Sequence, residues 1–148
     1  MGSYTFTNVM TTKELSDSEI ADFLRSRCVG VLSLSSDSES YAIPVSYTFD
    51  SGYFYFHLLN CEDCTKQHFI DNTKIVTFTV FEEESHKSVI CRGKLEEAEG
   101  REFEVGARVS ENSTMPTLDV YPNDSVVEDR FFILTPDTLE GRHLQMKF

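Results

Sequence analysis

In the segment "KIVTFTVFE", residues 74–82, apolar and threonine side chains alternate from Val76 to Val80. Val76, Phe78 and Val80 are apolar, and they alternate with Ile75, Thr77 and Thr79. Such alternation is typical of a β-strand with one buried face, because successive side chains of a strand point to opposite sides. The chain is therefore expected to fold around a sheet that has an inner and an outer face.

Five further runs have the same β-rich character: "CVGVLSLS", "YAIPVSYTF", "YFYFHLL", "KSVICRGKLEEA" and "DRFFILTP". Short turn-like segments separate most of them, which favours hairpins and an antiparallel arrangement. Pro44 has no backbone N–H to donate to a neighbouring strand, so it indicates an edge strand, a bulge or a functional irregularity. Gly93 indicates a bulge or a close approach, and Gly141-Arg142 is interpreted as a turn in a C-terminal tail.

Helix signals lie between and before these runs. Ser16 with Glu19 forms a capping-box pattern, which predicts a helix of about three turns. A second, short helix is predicted to begin at Thr65, and a weaker third one over 99–110. Residues 1–15 are interpreted as an N-terminal arm. The sequence thus predicts one mainly β domain over 1–148, a six-stranded antiparallel barrel with peripheral helices.

The charge balance excludes some partners. The chain has 13 Lys and Arg against 25 Asp and Glu, a net charge of −12. Nucleic acid and anionic membranes are excluded, because both require clustered cations. No apolar run is long enough for a membrane span and no signal-peptide layout is present, so a cytoplasmic protein is expected. The acidic excess also suits a high-salt environment, in which self-repulsion is screened.

The four cysteines are expected to carry free thiols, since no secretion signal accompanies them. Cys28 and Cys91 lie in apolar runs and are predicted to be buried.

The stretch "FHLLNCEDCTKQHFIDN", residues 56–72, contains the other two cysteines and leaves four interpretations open. Cys61, Cys64 and His68 could bind zinc, with His57 or Cys91 as a fourth ligand. Cys61-x-x-Cys64 could be a redox pair, or the loop could be only a polar connection. In the fourth interpretation, Thr65 and Lys66 in the first turn of the helix hold a phosphate group.

The ordered set "GVLSL", "YAIPVSY", "YFYFHLL" followed by "CTK", and "KSVICRGKLEE" resembles the FMN-binding split-barrel proteins related to pyridoxamine 5'-phosphate oxidase. Small single-domain members connected with nitroimidazole resistance or flavin-nucleotide binding are the most similar. The resemblance covers about residues 16–142 and implies a split β-barrel. The basic residues and long C-terminal segment of the vitamin B6 oxidases lack counterparts here, so vitamin B6 oxidation is not expected.

The resemblance also implies a cofactor site. It assigns the strand with Ile43, Pro44, Val45, Ser46 and Tyr47 to the flavin ring and ribityl chain. It assigns Thr65 and Lys66 to the FMN phosphate, and it puts His57, Lys87 and Ser88 beside the cofactor. A homodimer with flavin between its subunits is implied.

The activity implied is hydride transfer from FMN to a small substrate, with a nicotinamide nucleotide as a possible electron donor. Protein-supplied acid–base motifs are not evident in the sequence, as expected when a flavin brings the chemistry. A non-catalytic flavin or haem carrier is the alternative class, and a zinc-binding structural barrel is a third.

Overall fold

A computed structural model of the protein describes residues 10–61, 64–99 and 127–146. The elements in chain order are β1 (Met10–Glu14), α1 (Asp17–Ser26), β2 (Val29–Ser36), β3 (Glu39–Ser46), β4 (Thr48–Asp50), β5 (Tyr53–Cys61), α2 (Thr65–Asn72), β6 (Val76–Glu82), β7 (Lys87–Glu97) and β8 (Val127–Met146).

The strands form one antiparallel sheet in the order β3-β2-β6-β7-β8-β5-β4, and β1 also pairs with β8. The outermost strands, β3 and β4, are consecutive in the chain, with only Tyr47 between them. β3 also approaches β5. The sheet therefore curls until its two edges meet, and the mainly β split-barrel prediction is confirmed.

The strand count is larger than the six predicted. The run "YAIPVSYTF" divides at Tyr47 into β3 and β4, because β3 pairs with β2 whereas β4 pairs with β5. Met10–Glu14, assigned to the arm, pairs with β8 as β1. The predicted helix over 99–110 lies outside the described residues except for Glu99.

The turn predicted at Gly141-Arg142 is wrong, because both residues lie inside the 20-residue strand β8. Gly141 is needed there for packing. A Cβ at this position would lie 2.8 Å from Ile20 Cγ1 and 2.9 Å from Leu15 Cδ1. The glycine thus lets α1 and Leu15, which follows β1, pack directly on β8.

The irregularity predicted at Gly93 is confirmed. The β7–β8 register shifts between Arg92 and Gly93, and a Cβ on Gly93 would lie 2.0 Å from Thr135 O. Gly93 pairs with Pro136, whose missing N–H is tolerated at such a bulge.

The helix α1 forms as its sequence predicts. Ser16 Oγ accepts from Glu19 N at 3.2 Å and Glu19 Oε1 accepts from Ser16 N at 3.1 Å, which completes the capping box. Ile20, Phe23 and Leu24 are buried on one face of the helix. This face covers one end of the barrel, where the core is dense in aromatic side chains (Tyr47, Phe54, Phe56 and Phe78).

Candidate functional site

Two rows of cross-strand neighbours define the two faces of the sheet. The core-facing row is Ile43, Leu32, Phe78, Cys91 and Leu139; the outer row is Pro44, Val31, Thr79, Ile90 and Glu140. The three central members of the first row are buried, whereas Pro44, Ile90 and Glu140 of the second are exposed. The outer face is therefore available for a ligand or a partner.

The predicted flavin strand divides between these faces. Pro44 is exposed and Ser46 half-buried on the outer side, whereas Val45 and Tyr47 are buried. Ile43 is half-buried and packs against the core. A ligand on the outer face would meet the side chains of Pro44 and Ser46, and only the backbone of the other three.

Tyr47 has a structural partner. Its hydroxyl donates to Leu24 O at 2.7 Å, which joins the barrel to α1. Burial raises the pKa of this phenol, so it remains a neutral donor. Rings of Phe54 and Phe78 contact it edge-on.

The helix α2 presents one face to the sheet. Lys66, Phe69, Ile70 and Thr73 follow the three- and four-residue spacing of one helical face. Phe69 and Ile70 are buried, whereas Lys66 and Thr73 are half-buried. Lys66 is thus a cation on the side of the helix that packs against the sheet. A lysine is more often found on the solvent side of a helix.

Two contacts attach α2 to neighbouring strands. The rings of Phe69 and Tyr41 of β3 stack, with centroids 5.0 Å apart and planes 13° from parallel. Thr73 Oγ1 accepts from Ser35 N of β2 at 3.1 Å. The helix that carries Thr65 and Lys66 is therefore held against the strand that carries Pro44 and Ser46, as a common site requires.

An ion cluster holds the other end of α2. Arg130 donates through Nε and Nη2 to the two carboxylate oxygens of Glu97, both at 2.8 Å, and Asp71 of α2 lies 3.4 Å from Nη2. The guanidinium also lies 4.9 Å from the centroid of Phe132. This pairing lowers the pKa of Glu97 and raises that of Arg130.

His57 lies on β5, half-buried. Its ring stacks on that of Phe131 in β8, with centroids 4.5 Å apart. Its strand neighbours Phe56 and Leu58 are buried, so His57 faces the outer side.

Lys87 and Ser88 point to opposite faces, because they are adjacent in one strand. Ser88 pairs with Phe81 and Arg142, in register with the outer row. Lys87 lies on the α1 side. There Ser16 lowers the pKa of Glu19 through hydrogen bonds, and the charges of Lys13 and Lys87 lower it further. Only Ser88 of the two shares a face with Pro44.

The predicted site residues Ser46 and Ser88 lie far apart across the sheet. Ser88 is in β7 and Ser46 in β3, three strand spacings away, which corresponds to roughly 14 Å. Within one subunit, these predicted site residues therefore form two separate groups on one face.

The outer face carries exposed apolar side chains that the sequence analysis did not predict. Phe81 is 61% exposed and Ile90 is 44% exposed. The sequence does contain a signal for Phe81. The alternation in "KIVTFTVF" puts this aromatic residue on the same side of β6 as Thr77 and Thr79.

An open depression of about 580 Å³ lies beside α2. It is lined by Cys64, Thr65, His68 and Asn72, and also by the carboxylate residues Glu39 and Asp71 among others. Lys66 is not part of its lining. The acidic residues make this depression a poor phosphate site. Thr65 lines it, whereas Lys66 lies on the sheet-facing side of the helix, so the structure does not bring the two predicted phosphate residues to one side.

The cysteine predictions require correction. Cys64 is disulfide-bonded, so the prediction that all four cysteines carry free thiols is wrong. Cys28 is exposed, because it follows the C-terminus of α1 before β2 enters the sheet. Cys91 is free and buried as predicted, and burial raises its pKa to about 12.

Among the described residues, no group of three or more His, Cys, Asp or Glu side chains could hold a metal ion. In the same part of the chain, no helix is long and apolar enough to cross a membrane.

Solved structures with the same fold are numerous. A candidate pyridoxamine 5'-phosphate oxidase from Corynebacterium glutamicum is 18% identical, with a TM-score of 0.69 over 93% of this chain and 96% of that one. The FAD binding protein from Mycobacterium smegmatis is 18% identical, with a TM-score of 0.64 over 92% and 100%. A candidate 5-nitroimidazole antibiotic resistance protein from Bacteroides thetaiotaomicron is 16% identical, with a TM-score of 0.66 over 99% and 98%.

No curated protein sequence matches the chain. The family model described as pyridoxamine 5'-phosphate oxidase matches residues 16–143, which include every described element from α1 to β7 and most of β8. The chain therefore belongs to the pyridoxamine 5'-phosphate oxidase family.

Proposed function

We propose that this chain binds FMN between two identical subunits and uses it to reduce a small substrate. The observation that carries the proposal is the half-buried Lys66 on the sheet-facing side of α2, in a helix stacked through Phe69 on Tyr41 of β3. A flavin class of cofactor is supported by relatives of the same fold that are described as FAD-binding, from Mycobacterium smegmatis and Mesorhizobium loti.

The residues present fit one phosphate group. Lys66 offers an ammonium in the first turn of α2, where backbone N–H groups and the helix dipole also favour an anion. On the other side of this turn, Glu39 and Asp71 line the depression and would repel a second phosphate there. FMN has one phosphate and FAD has two, so FMN is the better match.

The proposed dimer follows from the separation of the two half-sites. Pro44 and Ser46 lie roughly 14 Å from Ser88 on one outer face. Phe81 and Ile90 lie on the same face, and burying them against a second copy would favour association. A two-fold axis would bring Ser88 of one subunit towards Pro44 and Ser46 of the other.

The bound FMN would supply hydride chemistry that the side chains of this chain lack. Lys66 would hold the phosphate, and Pro44 with Ser46 would lie along the ring. A backbone N–H on the edge of β3 away from β2, at Val45 or Ser46, would stabilise negative charge at the ring edge. His57, fixed by its stack on Phe131, would limit the space at the outer face of β5.

The first experiment is a visible absorption spectrum of the purified protein, followed by titration with FMN and with FAD. Lys66→Ala is expected to weaken FMN binding by roughly 10- to 150-fold, the equivalent of about 1.5–3 kcal/mol for one charge-assisted contact. Lys74→Ala is the matched control, because Lys74 is exposed just beyond the same helix. Equal FMN affinity in the two variants would remove Lys66 from the phosphate site.

The oxidoreductase activity and the dimer need separate readouts. Anaerobic NADH or NADPH should bleach the flavin band; a band that neither reduces would make the protein a carrier instead. Phe81→Glu should shift the mass in solution from dimer to monomer and weaken FMN binding, whereas Tyr53→Glu, at an exposed position outside the outer row, should do neither. A wild-type monomer that binds FMN tightly would contradict the shared site.

A further inference from the structure

We infer that an open cavity at the turn between β6 and β7 binds a phosphate group, either as the free ion or as part of a phosphate monoester. The cavity has a volume of about 620 Å³, and its lining includes Ser85, His86 and Lys87 around the turn and His143 of β8. Lys87 points to the opposite side of β7 from Ser88. The cavity is therefore on the other face of the sheet from the proposed flavin site, and the inference does not rest on a bound flavin.

Three basic side chains lie next to each other in one row across the sheet. His143 pairs with Lys87 of β7 on one side and with Lys13 of β1 on the other. Like charges in directly opposite positions of neighbouring strands repel each other. Such a row is unexpected in a chain with a net charge of −12. An anion bound beside the row would offset the repulsion.

Two carboxylates close to Lys87 have other partners. Glu82, its cross-strand neighbour in β6, lies 2.6 Å from Arg27 Nη1. Glu19 of α1, whose pKa the charge of Lys87 helps to lower, lies 3.7 Å from Lys13 Nζ. Among the described residues, Lys87 itself forms no ion pair, although it is half-buried. Its ammonium therefore retains the capacity to bind an anionic ligand.

Further donors line the same cavity. In the described part of the chain, the imidazoles of His86 and His143 form no hydrogen bond, and Ser85 Oγ is shielded from solvent without a partner. A buried hydroxyl without a partner is unfavourable, and rotation about its Cα–Cβ bond would let Ser85 donate to a ligand. A phosphate monoester offers three terminal oxygens to these donors, whereas a carboxylate offers two. The donor set thus favours a phosphate group.

The turn that forms one wall of the cavity is attached to β8. His86 has a φ of 56°, a left-handed conformation that is uncommon for a residue other than glycine. Its backbone N–H donates to Glu83 O at 3.3 Å, and its C=O accepts from Leu144 N at 2.9 Å. These bonds hold the turn beside the strand that carries His143. The wall is therefore in place before a ligand binds, which lowers the cost of binding.

One charge in the lining acts against an anion. Glu84 also lines the cavity, and its carboxylate would repel a phosphate group. A metal ion is not the alternative, because within the described ranges no three His, Cys, Asp or Glu side chains are grouped so as to hold one. Glu84 instead sets a direction for the test, since its removal should strengthen phosphate binding.

The test is a titration of the isotope-labelled full-length protein with inorganic phosphate and with glucose 6-phosphate, followed by NMR at constant ionic strength. The backbone amides of residues 85–87 should shift to saturation, and the ligand that binds more tightly identifies the free ion or the monoester as the occupant. Acetate should not produce these shifts. Acetate binding of equal affinity, shifts confined to residues 65–66, or no shift with either phosphate would overturn the inference.

Four variants test the residues. Lys87→Gln should weaken phosphate binding about ten-fold, since it removes one charge-assisted contact. His143→Gln should also weaken it, whereas Glu84→Gln should strengthen it. Lys94→Gln is the matched control, because Lys94 is an exposed lysine of the same strand outside the cavity and its loss changes the net charge equally. The amide spectra show that each variant is folded. Equal losses of affinity in Lys87→Gln and Lys94→Gln would contradict a site at Lys87.

Discussion

Tyr41 of β3 and Phe69 of α2 stack almost parallel, with ring centroids 5.0 Å apart. This contact joins the two elements from which the proposed flavin site is built. Pro44 lies three residues after Tyr41, and Lys66 lies three residues before Phe69. The position of the proposed phosphate anchor relative to the proposed ring-binding strand therefore depends on this aromatic pair.

Tyr41→Leu should test this dependence. Leucine keeps an apolar side chain but loses the ring stack, so the free energy of unfolding should fall by about 0.5–1.5 kcal/mol. FMN affinity should fall as well, because α2 is less firmly held. Urea denaturation and FMN titration measure the two effects. Tyr53→Leu, at an exposed ring in β5, is the control and should change neither. Unchanged FMN affinity in a destabilised Tyr41→Leu variant would separate the pair from the site.

Tyr47→Phe should distinguish a structural residue from a cofactor ligand. The variant removes the Tyr47 donor from Leu24 O, which keeps its 3.4 Å bond from Arg27 N, so the free energy of unfolding should fall by about 0.5–1.5 kcal/mol. FMN affinity should be preserved, because the Tyr47 side chain lies in the core. Thermal unfolding with FMN titration tests both statements. Lost affinity in a normally stable variant would show that the hydroxyl serves the ligand instead.

The Arg130–Glu97 pair should make stability depend on pH. Glu97 has a pKa lowered by its hydrogen bonds from Arg130, so its contribution is complete above the ordinary carboxyl pKa, near 4.5. That contribution should be lost as pH falls below 4.5 through the lowered folded-state pKa. Glu97→Gln should reduce the loss of stability between pH 5 and 3. Glu96→Gln, at the exposed neighbour, should follow the wild-type curve. Parallel curves for Glu97→Gln and wild type would remove this pair from the pH response.

The net charge of −12 should make stability depend on salt. Screening weakens repulsion among the exposed carboxylates, so the unfolding midpoint should rise with KCl up to molar concentrations. A series of thermal scans in KCl measures the effect, with sucrose as a control for excluded volume. A midpoint that falls with KCl would contradict adaptation to high salt.

The parts of the fold that depend on local patterns were predictable from the sequence. The alternation in residues 75–80 defines the two faces of β6, and Ser16 with Glu19 defines the start of α1. The interruption at Gly93 was visible because only a glycine tolerates the approach of Thr135.

Other features depend on distant parts of the chain. Gly141 looks like a turn residue until Leu15 and Ile20 are packed against it. The pairing of β1 with β8 depends on residues more than 120 positions apart. For the site, the sequence identified Pro44, Ser46 and Lys66 as candidates. It could not reveal that Val45 and Tyr47 face the core, or that Lys87 and Ser88 diverge, because both depend on which face of each strand is covered.

The placement of β8 has a consequence for synthesis of the protein. One edge of this strand pairs with β7, and the other edge pairs with β5 and, further along, with β1. It is the last described strand to leave the ribosome, yet it separates two groups of strands made earlier. The sheet therefore cannot close during translation, and β5 and β7 wait with unpaired edges until residues 127–146 emerge. A nascent chain stalled before this strand should be an early target for chaperones and proteases.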